Sequence, residues 1–173
     1  NYDIPESTGS GNYMRFVEGD NRFRILGSFA DGTAIRGVLY WKTIDGVRKP
    51  QRLPVGSNVP VSELELNKFG QYDVPKHFWC LPVWNYAANR VQLLEVTQKS
   101  ILNYIKQQVR NPKWGDPRDY DFIVTRGKEG ERTIYTVTND PKEALGSDAA
   151  KAYNDTFINI EALFEGKDPF QAQ

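Results

Sequence analysis

The apolar residues of this chain follow the two-residue period of strands in several segments and change to helical spacing at residues 100–109. In that segment apolar residues recur at intervals of one to four positions, as on the buried face of a helix: Ile101, Leu102, Ile105 and Val109. Thr97 is the predicted N-cap, and Asn111-Pro112 ends the helix. The chain is therefore expected to place one helix inside a fold made mainly of strands.

Six segments have the composition of strands. Charged and apolar residues alternate in the first, and β-branched and aromatic residues are frequent in the others: 22–26, 33–42, 76–86, 90–96, 120–125 and 132–138. Gly37 indicates a bulge or a bend, and Pro82 indicates an edge position or a bulge, because neither residue fits a regular central strand. The last two segments form a β-hairpin with a basic, glycine-containing loop.

Loops and short helices are expected in the rest of the chain. Residues 43–75 are rich in proline and glycine, which predicts a long loop with a short turn of helix near residues 62–67. After the last strand, short helices are expected near residues 142–151 and 158–164.

These elements predict a mainly β fold. A helix between the third and fourth strands of a small antiparallel barrel is the connectivity of an OB-fold, which binds oligonucleotides on its strands and loops. We expect an OB-fold-like small antiparallel barrel with one helix between strands 3/4 and the closing hairpin, plus short C-terminal helices. A different small barrel and an α+β sheet are the alternatives. Three parts are expected, namely a flexible leader, the barrel domain and an acidic extension packed on or following it: 1–12, 13–140 and 141–173.

Composition excludes several classes of protein. The 173 residues suit one domain, and no run approaches the roughly 20 apolar residues of a membrane-spanning helix. The single cysteine, Cys80, and the single histidine, His77, exclude an internal disulfide and a Cys/His zinc site, which needs about four ligands. Walker and dinucleotide-binding glycine patterns are absent from the sequence. We therefore expect no cofactor, no metal and no enzymatic activity, and a reducing, cytoplasmic location.

The charges are segregated along the chain although the formal net charge is zero. Residues 1–20 carry one arginine against four acidic residues, and residues 140–173 carry three lysines against seven. The 18 basic and 11 acidic residues between them give that middle segment a net charge of +7. A basic body favours polyanions, since their binding releases counterions.

Aromatic residues make up 13% of the chain, and many of them adjoin basic residues on the predicted strands. Examples are Trp41 beside Lys42, Phe78 close to Lys76, and Tyr135 across the hairpin from Arg126 and Lys128. Single-stranded nucleic acid is bound by this combination, because bases stack on aromatic rings and cations hold the phosphates. About half of these rings are expected in the core, since residues on a strand alternate between its two faces.

Several of these segments resemble the single-stranded DNA-binding proteins of tailed bacteriophages. The resemblance covers residues 13–170 in scattered blocks, and the most similar ones are VWNY followed by VQLLEVTQKSI, WGDP leading into YD, the closing hairpin, EGDNRFRIL and LFEGKDPF. It implies an OB-fold, binding of single-stranded DNA with little sequence preference, and a role in phage replication, recombination or repair. It also implies replication proteins of the phage or its host as partners. The zinc that some relatives hold is not carried over, because its ligands are missing here.

The resemblance and the pairing of basic with aromatic residues together predict the binding site. The expected phosphate contacts are Arg22, Arg24, Lys42, Lys76, Arg126, Lys128 and Arg132. The expected stacking residues are Trp41, Phe78, Trp84 and Tyr135. The core is expected to contain Trp79, Leu81, Val83, Phe122 and Val124, and Trp114 is expected to pack its loop against the helix.

Two other functions are consistent with the sequence. The chain could be a phage module that binds a partner protein through its small barrel. Alternatively, Asp116, Asp119 and Asp121 could hold a divalent metal in a nuclease, although their spacing lacks the glycine and glutamate of a calcium loop.

Overall fold

A computed structural model describes residues 11–172 as one open antiparallel sheet with a few short helices. Its seven strands are β1 (Gly19–Ile25), β2 (Ile35–Ile44), β3 (Val47–Pro54), β4 (Lys76–Asn85), β5 (Arg90–Val96), β6 (Asp121–Glu129) and β7 (Arg132–Asn139). The α-helices are α1 (Lys99–Arg110) and α2 (Ser147–Asp155), and short 3₁₀ helices span Val61–Glu63, Pro117–Asp119 and Ile160–Glu165. The prediction of a mainly β fold, with one helix before the closing hairpin and short helices after it, is confirmed.

The strands are joined in the order β3-β2-β4-β1-β6-β7, and β5 pairs with β4 outside this path. Every strand pair is antiparallel. Within the described part of the chain no ladder joins β5 to β7, so the sheet is open. None of the helices in residues 11–172 is long and apolar enough to cross a membrane.

Strand β3 lies in the segment that the sequence predicts to be a loop. Asp45 and Gly46 both have positive φ angles, 52° and 78°, and connect β2 to β3 as a two-residue hairpin turn. Pro50 and Pro54 argue against a central strand, but β3 is an edge strand, where proline is tolerated. The Asp-Gly pair is therefore the sequence signal for this hairpin.

Strand β4 is the centre of the sheet. One of its edges pairs first with β2, over residues 76–80, and then with β1, over residues 83–85. Its other edge pairs with β5. Pro82 lies where the partner changes, and its carbonyl accepts a hydrogen bond from the Leu26 amide at 2.8 Å. The prediction of an edge position or a bulge at Pro82 is wrong, because β4 is central and keeps a regular register with β5 through this residue. The missing N–H is tolerated because Pro82 lies at the junction between two partner strands.

Gly37 occupies a regular position in β2, paired on both sides, although it was expected to mark a bulge or a bend. A Cβ atom there would lie 2.1 Å from the Leu53 carbonyl oxygen and 3.0 Å from the Phe78 ring. Close packing of the neighbouring strand and the ring therefore explains the glycine.

The main core lies between the sheet and α1. It includes the expected residues Leu81, Val83, Phe122 and Val124, which are confirmed as buried, together with the buried face of the helix, Ile101, Leu102 and Ile105. Trp79 is only partly buried at the border of this core. Trp114 packs on Tyr120 with ring centroids 5.6 Å apart. The N-cap of α1 is Gln98, not Thr97, and its side chain makes no capping hydrogen bond.

The C-terminal region covers the opposite face of β4 and β5. Ala149 of α2 packs in one cluster with Trp84. The last 3₁₀ helix packs Ile160 and Leu163 against Phe78 and other buried residues. Both faces of β4 are therefore buried over most of its length.

The predicted leader lies partly outside the described residues, since residues 1–10 are not among them. Its last two residues run beside β5, where the Gly11 carbonyl accepts a hydrogen bond from the Gln92 side chain at 2.7 Å. Leu93 N donates to the Asn12 carbonyl, and Met14 N donates to the Leu93 carbonyl. These bonds attach residues 11–14 to the sheet.

Candidate nucleic-acid interface

Three of the eleven predicted site residues are buried and unavailable to a ligand. Phe78 and Trp84 are 0% and 6% exposed, and Arg24 is 2% exposed. The expectation that Phe78 and Trp84 stack on bases is wrong, because the C-terminal region covers the face of β4 on which they lie. Alternation along a strand leaves one face free only where nothing else packs on it.

Arg24 is the centre of a buried polar network. Its Nε donates to Asp121 Oδ1 at 2.7 Å, and its Nη1 donates to the carbonyls of Arg118 and Glu143. Tyr86 donates its hydroxyl proton to the same carboxylate oxygen at 2.8 Å. Burial, followed by this hydrogen bond, raises the pKa of Tyr86 to about 12. Arg24 therefore joins β1 to β6 and the segment after β7, and its predicted contact with phosphate is wrong.

Arg22 is half-exposed and paired with two carboxylates. Its Nη1 lies 3.2 Å from Asp121 Oδ2 and also contacts Asp140. The hydrogen bond that this guanidinium donates to Asp140 is the largest cause that raises its pKa. A phosphate would have to compete with both carboxylates, which makes Arg22 a weaker candidate than an unpaired cation.

Two of the three aspartates that could hold a metal in a nuclease, Asp116 and Asp121, are bound to different arginines instead. Asp116 caps the 3₁₀ turn Pro117–Asp119 and binds Arg118, whose hydrogen bonds lower the pKa of the carboxyl group. Asp121 belongs to the Arg24 network. Among residues 11–172, no group of three or more acidic, histidine or cysteine side chains is arranged to hold a metal ion.

The hairpin of β2 and β3 extends beyond the rest of the sheet. Leu39 pairs with Lys76 at the start of β4, and residues 40–51 pair only with one another. We call residues 40–51 the β2–β3 arm. Trp41 is 40% exposed there, and the Arg48 guanidinium lies 5.2 Å from the centre of its ring. Lys76, exposed at the base of the arm, lies on the same face as Trp41, because it pairs with Leu39.

The other face of the β2–β3 arm holds two lysines directly opposite each other, Lys42 and Lys49. Lys42 forms an ion pair with Glu63 at 2.6 Å, whereas Lys49 has no carboxylate within 4 Å in the described part of the chain. Like charges at directly opposite positions destabilise a sheet. Lys49 was not predicted as a site residue, because its strand was mistaken for a loop.

We expect Lys49→Glu to stabilise the protein. An opposite-charge pair with Lys42 would replace the repulsion, which should raise the free energy of unfolding by about 0.2–1 kcal/mol. Urea denaturation measures this effect, and Lys49→Gln is the control that removes the cation alone. An unchanged free energy of unfolding would mean that the two lysines do not repel each other in the folded protein.

The hairpin of β6 and β7 forms a second projection. Its last pairing with β1 is Gly19 with Arg126, and beyond that point the two strands pair only with each other. We call residues 126–135 the β6–β7 arm. Arg126 lies directly opposite Tyr135, and its Nη1 donates to the Phe16 carbonyl at 3.0 Å. The half-buried ring of Tyr135 packs on Phe16, with centroids 5.9 Å apart.

Two exposed cations lie near the tip of this arm, Lys128 and Arg132. Lys128 pairs with Thr133 and so shares a face with Arg126 and Tyr135, as the sequence indicated. Arg132 pairs with Glu129 and lies on the other face. Neither cation has a carboxylate within 4 Å in the portion of the chain that is described, so both are available to phosphates.

A third group of aromatic and basic side chains was not predicted. Phe29, in the loop after β1, meets Trp79 of β4 edge to face, with ring centroids 5.4 Å apart. The Arg36 guanidinium of β2 lies 5.5 Å from the centre of the Phe29 ring. These residues come from three separate elements, and the sequence pattern gave no signal that they meet.

Comparison of this chain with protein-family models, with curated proteins and with solved structures finds no match. The candidate interface therefore depends on the geometry of its own residues, and the resemblance to phage single-stranded DNA-binding proteins stays a prediction.

Proposed function

We propose that this protein binds single-stranded DNA with little sequence preference and protects it during phage replication, recombination or repair. The observation that carries the proposal is the pair of hairpin arms, each of which carries an aromatic side chain and a cation that no carboxylate of residues 11–172 neutralises. In the β2–β3 arm these are Trp41 and Lys49, on opposite faces, and in the β6–β7 arm they are Tyr135 and Lys128, on the same face. No catalytic step is part of this function.

The order of the strands supports an OB-fold variant. If the β2–β3 hairpin is an insertion between β1 and β4, five strands remain, and α1 follows the third of them. The ladders β1–β4, β4–β5, β1–β6 and β6–β7 then match that fold. OB-folds bind oligonucleotides with the loops that follow the first and the fourth strand. In this chain those two connections are the β2–β3 arm and the tip of the β6–β7 arm.

Binding in this arrangement combines stacking with electrostatic attraction. Each base stacked on Trp41 or Tyr135 should contribute roughly 1–3 kcal/mol. Four cations of the arms and of their base would hold the phosphates, and none of them forms an ion pair within residues 11–172: Lys49, Lys76, Lys128 and Arg132. About four such contacts give a slope near −3 for the logarithm of the binding constant against that of salt concentration. Replication proteins of the phage or its host are the partners expected of such a protein.

Titration with oligo-dT, followed by tryptophan fluorescence at low and high salt, tests this function. We expect saturable quenching that weakens steeply with salt, because Trp41 is exposed at the interface. Trp41→Phe should remove a large part of the signal, whereas Trp114→Phe, the control, should leave most of it. Absence of quenching, with no change in anisotropy of a labelled oligonucleotide, would contradict the proposal.

One observation favours the alternative of a module that binds a partner protein. Phe69 and Val74 are 75% and 77% exposed in the loop before β4. The tip of this loop is ordered by a bridge between Leu66 and Tyr72 and by the Asn67 side chain, which accepts two backbone hydrogen bonds. An apolar surface held in this way is typical of protein interaction sites. This alternative predicts no response to oligo-dT, so the same titration distinguishes the two functions.

A further inference from the structure

A cavity of about 550 Å³ lies between the loop after β1, the middle of β4 and the C-terminal half of α1. Its apolar lining comes from the edge of the main core: Ile25, Leu81 and Ile105. Phe29 and Trp79 supply two aromatic rings, packed edge to face. Volumes of roughly 300–1,000 Å³ are usual for small-molecule sites, so the cavity has room for a nucleobase and its sugar.

The side chains at the border of the cavity make it electropositive. Arg36, Lys106 and Arg110 all line it, and within residues 11–172 none of the three has a carboxylate within 4 Å. The one carboxylate in the lining, Asp116, is bound by Arg118 with Nη2 2.7 Å from Oδ2. Three cations thus face the cavity against one acid that is already paired, and an anionic ligand is favoured.

We propose that this cavity binds one nucleotide of the single strand, with its base against Phe29 and Trp79 and its phosphate at Arg36 and Lys106. This inference rests on the proposed function and extends it to a specific subsite. Flat apolar rings beside unpaired cations match the two parts of a nucleotide, because the base stacks and the phosphate carries charge. A purely apolar ligand would leave the three cations without a role.

The position of the cavity in the sheet connects it to the β2–β3 arm. Arg36, Tyr40 and Lys42 alternate along the same face of β2, and Lys49 lies opposite Lys42. At about 3.3 Å per residue, roughly 20 Å separates Arg36 from Lys42 along the strand. A DNA strand that contacts Lys49 on this face can therefore follow β2 to the cavity at its base.

The test compares variants of the full chain in binding to oligo-dT. Phe29→Ala removes an exposed ring from a loop and should weaken binding at least fivefold, the equivalent of about 1 kcal/mol of stacking. Phe157→Ala, which removes a similarly exposed ring outside the cavity, is the matched control and should bind like the wild type. Arg36→Gln and Lys106→Gln should each reduce the magnitude of the salt slope by about 0.7, unlike Lys151→Gln on α2.

The outcomes separate this inference from the proposed function. If the three cavity variants bind like the wild type while variants of the arms bind weakly, the subsite is wrong and the function remains. If the wild type shows no salt-sensitive binding, the function itself fails. A loss that appears equally in Phe29→Ala and Phe157→Ala would also overturn the subsite. Circular dichroism and urea denaturation confirm that each variant is folded.

Discussion

Replacement of Arg24 by methionine should destabilise the protein by about 3–5 kcal/mol, the range for removal of one partner from a buried ion pair. The substitution leaves the buried Asp121 carboxylate with only the half-exposed Arg22 and the Tyr86 hydroxyl as partners. It also deprives the Arg118 and Glu143 carbonyls of their donor. Domains of this size are stable by about 5–15 kcal/mol in total, so a large part of the stability is lost.

Urea denaturation followed by circular dichroism measures this effect. Arg22→Met is the matched control, because Arg22 binds the same carboxylate from a half-exposed position and should contribute about 1 kcal/mol or less. If Arg24→Met unfolds at the same urea concentration as the wild type but binds DNA weakly, Arg24 contacts the ligand and the structural role given to it here is wrong.

Simultaneous replacement of Lys49, Lys128 and Arg132 by alanine should weaken binding to oligo-dT about 100-fold at 0.1 M salt. Each lost phosphate contact lowers the magnitude of the salt slope by about 0.7 for single strands, so the slope should fall by about 2. The three side chains are exposed on the arms, and stability should change little.

Fluorescence anisotropy over a range of salt concentrations measures both quantities. The matched control removes three exposed lysines away from the arms: Lys99, Lys142 and Lys151. It changes the net charge by the same amount and should retain most of the affinity. An equal loss in the two triple variants would mean that overall charge, rather than the arms, determines binding.

Local sequence patterns predicted most of the secondary structure. Alternation and β-branched residues located six of the seven strands, and helical spacing located α1 to within one residue at each end. Strand β3 was missed because Pro50 and Pro54 resemble loop residues, although an edge strand tolerates them. Strand β3 is at the edge because the other side of β2 pairs with β4. That pairing joins distant parts of the chain, so a short stretch of sequence does not reveal it.

Pairing between residues of the candidate site was predicted only within one hairpin. The turn at Gly130 fixes the register that brings Arg126 opposite Tyr135, and this pairing was read correctly. Arg24 follows the same alternating pattern as a surface residue, but Asp121 and the segment after β7 bury it. Phe78 and Trp84 failed as candidates for the same physical reason, since burial by distant parts of the chain cannot be inferred from alternation.

The face of β4 that the C-terminal region buries stays exposed while the chain is being synthesised. The 3₁₀ helix Ile160–Glu165 packs on three buried residues of β4 and β5, namely Phe78, Cys80 and Leu93. These three side chains therefore stay uncovered until that helix has left the ribosome. At roughly 5–20 residues per second, this delay lasts several seconds. Burial raises the pKa of the Cys80 thiol in the folded protein, which keeps it protonated and unreactive. Until residues 160–165 pack against it, the same thiol lies on an apolar surface without this cover.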